Sequence, residues 1–206
     1  MYLKRIETIG FKSFADKTVL ELMPGITSVI GPNGSGKSNI SDAIRWVLGE
    51  QSIKSLRGDK LEDVVFAGTD TKKAMNYCEV ALTIDNSDRN LNIDFSEISI
   101  KRRAYRSGES QFFLNNKPCR LKDVKELLLD TGIGKDGYSI IEQGKVDEIL
   151  SNNPTNRRKV FDEACGISKF RYKKQEAERN LKHTKENLSR IEDVYIEIEN
   201  QLKGRD

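Results

Sequence analysis

The sequence GPNGSGKSNI at residues 31–40 places three glycines, a proline and two serines around one lysine. Its fixed positions, from Gly31 to Ser38, satisfy the motif G-x-x-x-x-G-K-[ST] of phosphate-binding loops. In such loops the backbone N–H groups surround phosphates, the lysine reaches the β- and γ-phosphates, and the hydroxyl coordinates Mg²⁺. The stretch therefore predicts a phosphate-binding loop, and the alternative is a flexible Gly/Ser turn that matches by chance.

The segments on both sides of this loop support the first interpretation. GITSVI at residues 25–30 is typical of a short buried strand, and residues 38–48 carry apolar side chains at helical spacing. A helix that starts at the loop offers unpaired N–H donors and the positive end of its dipole, which favours a phosphate. We therefore predict a strand, a loop and a helix in that order.

Composition limits the classes of protein that this chain can represent. The 206 residues are 36% hydrophobic and 33% charged, a polar balance that indicates an extended part beside a globular one. The net charge of +3 gives no chain-wide attraction for nucleic acid, so any DNA contact must come from local patches. Three scattered cysteines, Cys78, Cys119 and Cys165, fit reduced thiols, and no long apolar segment predicts export or a membrane span. We expect a soluble cytoplasmic protein.

Further elements follow from the local patterns. Strands are predicted over residues 2–11, 18–22, 76–85 and 97–105, with a short one over 138–144. A hairpin is predicted to turn at Asn115–Asn116, a pair that tolerates positive φ. Helices are predicted over residues 121–130 and behind Pro154.

The last segment has a different pattern. Positions 174, 177, 181, 184, 188, 191, 195, 198 and 202 alternate steps of three and four, and most of them are apolar. This is the seam of a heptad repeat, so we predict the start of a long coiled coil over residues 169–206 that continues further. The alternative is an amphipathic helix that lies on the globular part, which is predicted to cover residues 1–168.

The sequence lacks part of what ATP hydrolysis requires. A complete site includes a Walker B strand that ends in an Asp for Mg²⁺. The sequence LLLD ending at Asp130 is a superficial match, but its apolar spacing indicates a helix. An LSGG-type signature is also absent, so the phosphate loop is predicted to form half of a site.

Several segments in order resemble one known family. They are LKRIETIGFKSFADKT (3–18), GPNGSGKSNISDAIRWVLGEQS (31–52), SLRG (55–58), RRAYRSGESQFFLNNKPCRLKDV (102–124) and IIEQGKVDEIL (140–150). Together they resemble the N-terminal half of the head of bacterial SMC proteins, which organise chromosomes. The resemblance implies an α/β fold, the N-terminal lobe of an ABC-type P-loop ATPase head with a mixed sheet. A coiled-coil helix follows, and the resemblance implies that this coiled coil is antiparallel. It also implies that a C-terminal lobe of the same protein carries the signature and Walker B, which accounts for both absences.

The resemblance implies roles for particular residues. The loop residues Pro32, Asn33, Gly34, Ser35, Gly36, Lys37, Ser38 and Asn39 would bind ATP, with Ser38 on Mg²⁺. Gln143 matches the Q-loop glutamine, a second Mg²⁺ contact, and Arg57 matches the R-loop arginine near the phosphates. Lys12 and Ser13 resemble the segment along the adenine side. Without the resemblance, Gln143 is more typical of a polar residue that ends a strand, and Arg57 is more typical of a solvated loop residue.

The implied function is an ATPase head that dimerises with a second head around ATP and couples hydrolysis to DNA organisation and segregation. Kleisin-type accessory subunits and double-stranded DNA are the implied partners, with Lys60, Arg120 and Lys122 as candidate DNA contacts. A second basic cluster is Lys101, Arg102, Arg103 and Arg106. The alternatives are an SMC-like repair ATPase of the RecN or RecF type, a small P-loop kinase, and a structural coiled-coil protein with a vestigial loop. The chain alone is expected to be inactive as an ATP hydrolase.

Overall fold

The computed structural model describes residues 1–91, 93–128, 140–141, 158 and 167–203. The chain divides into two compact units, Met1–Val160 and Phe161–Asp206. Among the described residues, the first unit holds an antiparallel sheet and two helices, and the second holds one long helix. The predicted domain boundary between residues 168 and 169 stays a prediction.

The described sheet has six strands in the spatial order β2-β1-β3-β4-β5-β6. The strands are β1 (Tyr2–Ile9), β2 (Thr18–Glu21), β3 (Tyr77–Asp85), β4 (Glu97–Tyr105), β5 (Ser110–Leu114) and β6 (Lys117–Cys119). Every pairing between them is antiparallel. The helices in the described part of the chain are α1 (Lys37–Val47), α2 (Leu121–Leu128) and α3 (Ser168–Lys203), with two 3₁₀ turns over Lys54–Leu56 and Leu61–Val64. These elements confirm the α/β class.

One face of the sheet forms the core with α1. Strand β4 alternates strictly and β3 alternates except at the buried Ala81, so that Val80, Leu82 and Ile100 are buried on the same face. Helix α1 buries Trp46 in this core, and the rings of Trp46 and Phe11 lie 5.2 Å apart. This packing fixes the helix that follows the phosphate loop against the centre of the sheet.

The hairpin between β5 and β6 turns where it was predicted. Asn115 and Asn116 have φ values of 46° and 63°, the left-handed region that a type I′ turn requires. The Asn115 side chain also accepts a hydrogen bond of 2.7 Å from the backbone N–H of Ser99. The local signal of two asparagines was therefore sufficient to place this turn.

The prediction of a strand over residues 25–30 is wrong. These residues have no strand conformation, and the side chains of Ile26 and Ile30 are almost entirely exposed. A strand is stable only when a neighbour completes its backbone hydrogen bonds, and no described strand pairs with this segment. The apolar residues here are thus left in solvent beside the phosphate loop.

Arg102 joins the sheet to the end of α1. Its side chain is buried, and Nη1 donates to the carbonyl oxygens of Trp46 and Glu50, each at 2.8 Å. Its guanidinium also lies 4.6 Å from the centre of the Trp46 ring and 4.9 Å from that of Phe112. Burial lowers the pKa of Arg102 to about 10, yet it stays charged at neutral pH.

We expect Arg102→Met to reduce the free energy of unfolding by about 2–4 kcal/mol, since it removes a buried charged donor that bonds two carbonyl groups at the end of α1. Lys101→Met is the matched control on the same strand. Lys101 faces the other side of the sheet, where Glu79 keeps its ion pair with Arg103, so a loss below about 1 kcal/mol is expected. Urea unfolding of both variants measures the difference, and equal losses would contradict this role for Arg102.

Helix α3 contains 36 residues and confirms the prediction of a long helix. Seam residues including Leu181, Leu188, Ile191, Tyr195 and Ile198 have more than half of their side-chain surface exposed. An exposed apolar stripe at heptad spacing is the surface that a partner helix covers in a coiled coil. Among the described residues, every helix is too short or too polar to cross a membrane.

Candidate nucleotide site

The phosphate loop reaches α1 through residues with positive φ. Gly34 and Gly36 have φ values of 83° and 90°, and α1 begins directly afterwards at Lys37. A Cβ atom on Gly36 would lie 2.9 Å from Oγ of Ser13, which is closer than side chains allow. Both the conformation and the close approach of Ser13 therefore require glycine at residue 36.

The side chain of Lys37 folds back over the loop. Its Nζ donates to the carbonyl oxygens of Gly31 and Pro32, both at 2.7 Å. Residues 31–35 are exposed, and Ser38 is exposed in the first turn of α1. The loop thus presents a positive charge and the start of a helix to solvent.

The residues of the phosphate loop and the start of α1 fit a nucleoside triphosphate with Mg²⁺. A Cβ on Gly34 would meet no atom within 4 Å, so there is open space directly beside the loop backbone. An exposed helix N-terminus with a lysine beside it is a site for anions, and a serine hydroxyl is a hard oxygen ligand of the kind that Mg²⁺ accepts. The loop, with Pro32, Asn33 and Ser35 forming its turn, could hold the phosphates.

Three of the predicted site residues are joined by hydrogen bonds. Asn39 Nδ2 donates to Ser13 Oγ at 2.7 Å, and Arg57 Nη2 donates to Asn39 Oδ1 at 3.0 Å. Arg57 follows the 3₁₀ turn Lys54–Leu56 and has a φ of 59°. The structure therefore brings Ser13 and Arg57, which are far apart in sequence, to the first turn of α1.

Asp42 is a site residue that the sequence analysis missed. It is buried on α1, and its Oδ2 accepts hydrogen bonds from Lys12 Nζ and from Nε and Nη2 of Arg57, the Nε bond being 3.2 Å long. Oδ1 lies 3.9 Å from Nη1 of Arg45. We name Lys12, Asp42, Arg45 and Arg57 the Asp42 cluster. An acidic residue on the inward face of an amphipathic helix was the signal that could have revealed it.

Lys12 lies deeper than its predicted position along the adenine suggests. Its side chain is 12% exposed, and Nζ donates to the carbonyl oxygen of Leu56 as well as to Asp42. Lys12 therefore links the turn after β1 to the turn that carries Arg57. Contact with adenine stays a prediction.

The Q-loop candidate Gln143 and Asp130 of the LLLD segment lie outside the described residues. Helix α2 does extend as far as Leu128, which agrees with a helical interpretation of the residues before Asp130. The role of Gln143 stays a prediction.

The basic cluster of residues 101–106, on β4 and directly after it, does not form one surface. Arg102 faces the core, whereas Lys101 and Arg103 face the opposite side and both form ion pairs with Glu79. Arg106 donates to the carbonyl oxygens of Met75 and Phe66. The three other cations, Lys60, Arg120 and Lys122, are exposed, and Lys122 lies 3.6 Å from Glu126.

Comparison with known proteins identifies the family. The family described as "RecF/RecN/SMC N terminal domain" matches residues 2–193. The chain belongs to this family. The Chromosome partition protein Smc of Bacillus subtilis is 56% identical over 203 residues, which are 98% of this chain and 17% of that protein. The chain thus spans about one sixth of the length of the curated relatives it matches.

Solved SMC structures share the fold. A chain described with "ATP-driven dimerization and DNA stimulated activation of SMC ATPases" is 36% identical with a TM-score of 0.72, over 80% of this chain and 99% of that one. An Smc head domain with an extended coiled coil from Pyrococcus furiosus, bound to the C-terminal domain of ScpA, is 38% identical with a TM-score of 0.77, over 94% of this chain and 49% of that one. The expected SMC-type head fold is confirmed.

The repair ATPases are more distant. A RecF structure with ATP is 26% identical with a TM-score of 0.51, over 79% of this chain and 37% of that one. The resemblance to bacterial SMC proteins is thus confirmed over the RecF alternative. Membership of this family also excludes a small P-loop kinase.

Proposed function

We propose that this chain is the ATP-binding N-terminal part of an SMC head, which dimerises with a second head around ATP and couples hydrolysis to the organisation and segregation of DNA. The observation that carries the proposal is the phosphate loop at the start of α1, with Lys37 folded over it and Arg57 held beside it through Asn39. The similarity to Smc over nearly the whole chain supports the same function.

The loop residues of this chain would hold ATP and Mg²⁺. The backbone of residues 32–36 would surround the phosphates, Lys37 would exchange its bonds to the loop carbonyls for bonds to phosphate, and Ser38 would coordinate Mg²⁺. Arg57 and Gln143 would act on the developing phosphoryl charge and on Mg²⁺. Bound Mg²⁺ neutralises charge on the β- and γ-phosphates.

The exposed segment 25–30 supports the proposal that a C-terminal head lobe of the same protein packs against this chain. The apolar side chains of segment 25–30 lie next to the phosphate loop, and no strand among the described residues pairs with this segment. A strand from another part of the protein would pair with this segment and bury Ile26 and Ile30. Such pairing would hold the start of the loop in place.

Further partners follow from the related structures. ATP-driven dimerisation of SMC ATPases supports a homodimer of heads, and the ScpA complex supports accessory subunits of the kleisin type. The exposed heptad stripe of α3 supports a coiled coil. We infer that the protein acts in the cytoplasm, on the nucleoid.

Equilibrium binding of ATP to this chain with Mg²⁺ tests the proposal at its first step. The expected result is saturable ATP binding that ADP displaces at concentrations far below those at which inorganic sulfate does, because sulfate occupies only a phosphate position. A chain without saturable binding would support the vestigial-loop alternative instead.

We expect charge reversal of Lys60, Arg120 and Lys122 to weaken DNA binding by ATP-engaged heads at least about tenfold at moderate salt, because phosphate contacts dominate sequence-independent affinity. Loss of three contacts should also reduce the slope of log affinity against log salt by about 3. ATP binding should not change.

The matched control reverses three other exposed cations of the same unit, Lys17, Lys73 and Arg89. It makes the same change in net charge at other places on the surface. Fluorescence anisotropy with a labelled duplex over a range of salt concentrations compares the two variants. Equal affinity and slope in both would mean that DNA binds elsewhere.

A further inference from the structure

The Asp42 carboxylate lies where three segments of the chain meet. Lys12 comes from the turn after β1, Arg57 from the turn after Lys54–Leu56, and Asp42 itself from the second turn of α1. Asp42 has 6% of its side chain exposed, whereas Arg57 has 54% exposed. A buried anion therefore holds a cation whose other end is in solvent.

Arg57 is held along one edge of its guanidinium. Nε and Nη2 both donate to Oδ2 of Asp42, and Nη2 donates to Asn39 Oδ1 as well. Asn39 lies only two residues after Lys37, so this contact ties Arg57 to the start of the phosphate loop helix. Nη1 has no hydrogen-bond partner among the described residues and remains available to an anion.

The charge of Asp42 is required for this arrangement. Two cations, Lys12 and Arg57, meet at the same carboxylate oxygen, and a third, Arg45, lies 3.9 Å from the other oxygen. Without the negative charge the cations would repel one another at close range. The guanidinium of the exposed Arg57 would then move away from Asn39 into solvent, since an arginine in a loop samples many rotamers.

We propose that Asp42 is a positioning residue for ATP hydrolysis, whose carboxylate holds the Arg57 guanidinium beside the phosphate loop. This inference rests on the proposed ATPase function. Asp42 acts through Arg57 and does not itself touch the nucleotide. A purely structural role, in which Asp42 only keeps the Lys12 turn in place, is the alternative that the experiment must separate.

A double-mutant cycle on ATP turnover by the full-length protein separates them. Asp42→Asn is expected to lower kcat about tenfold or more while the Kd for ATP changes less than about threefold. In an Arg57→Ala background the same substitution should lower kcat less than about threefold, because the group that it positions is absent. Glu50→Gln, which removes another buried carboxylate that pairs with Arg45 but not with Arg57, is the control and should stay within about threefold of wild type.

Equal loss of kcat from Asp42→Asn in both backgrounds would overturn the proposal and leave the structural role. Circular dichroism shows whether Asp42→Asn folds. Should it not fold, Arg57→Lys at the exposed position provides the test. It keeps the charge but lacks the planar fork, so its kcat should match that of Arg57→Ala within about threefold, and a wild-type rate would overturn the proposal. If the wild-type protein showed no ATP turnover, or turnover that Lys37→Ile does not abolish, the proposed function would be overturned, and this inference with it.

Discussion

Lys37→Ile is expected to weaken ATP binding by this chain about 100-fold or more, which corresponds to roughly 2.8 kcal/mol. Nζ of Lys37 lies over the loop on two carbonyl oxygens, at the place where the motif puts the β- and γ-phosphates. Isoleucine removes the positive charge and leaves those carbonyls facing the phosphates. Isothermal titration with ATP and Mg²⁺ measures the change.

Lys73→Ile is the matched control, because Lys73 is an exposed lysine in a loop of the same compact unit. Its affinity for ATP should stay within about twofold of wild type. Arg57→Ala and Gln143→Ala should also keep most of the binding, since their proposed contacts matter most for Mg²⁺, the γ-phosphate and the engaged heads. Equal loss of affinity in Lys37→Ile, Arg57→Ala and Gln143→Ala would contradict this division of roles.

Local sequence signals predicted the parts of the fold that depend on neighbouring residues. The phosphate loop, helix α1 and the turn at Asn115–Asn116 all follow from spacing and backbone preference within about ten residues. The alternation along β3 and β4 likewise predicted both strands within one or two residues of their ends. The conformation of these elements is determined mainly by their own local sequence.

Contacts between distant segments were beyond the same reasoning. The apolar pattern of residues 25–30 is that of a strand, but whether a strand forms depends on a neighbour that the described sheet does not supply. Arg102 was grouped with Lys101 and Arg103 because they adjoin in sequence, although alternate strand residues face opposite sides. Asp42 became visible as a site residue only when Lys12 and Arg57 were placed against it.

Because the sequence supplies only part of an ATPase site, we expect a large difference in ATP turnover between this chain alone and the completed head. Purified residues 1–206 should hydrolyse ATP at least about 100-fold more slowly than the same chain joined with its C-terminal head lobe, because no Walker B carboxylate or signature segment is present in this sequence. The phosphate loop supplies binding of the ground state, whereas hydrolysis also needs a positioned water and a second carboxylate on Mg²⁺. A coupled assay of released phosphate measures both rates.

Two controls make this comparison specific. The completed head with Lys37→Ile should return to the low rate of the chain alone, which shows that the gained turnover uses this phosphate loop. A C-terminal lobe that lacks its Walker B carboxylate should leave binding of ATP intact and fail to restore turnover. Robust turnover by residues 1–206 alone that disappears with Lys37→Ile would show that the site is complete without a second lobe. In that case the exposed segment 25–30 would need another explanation than a missing partner strand.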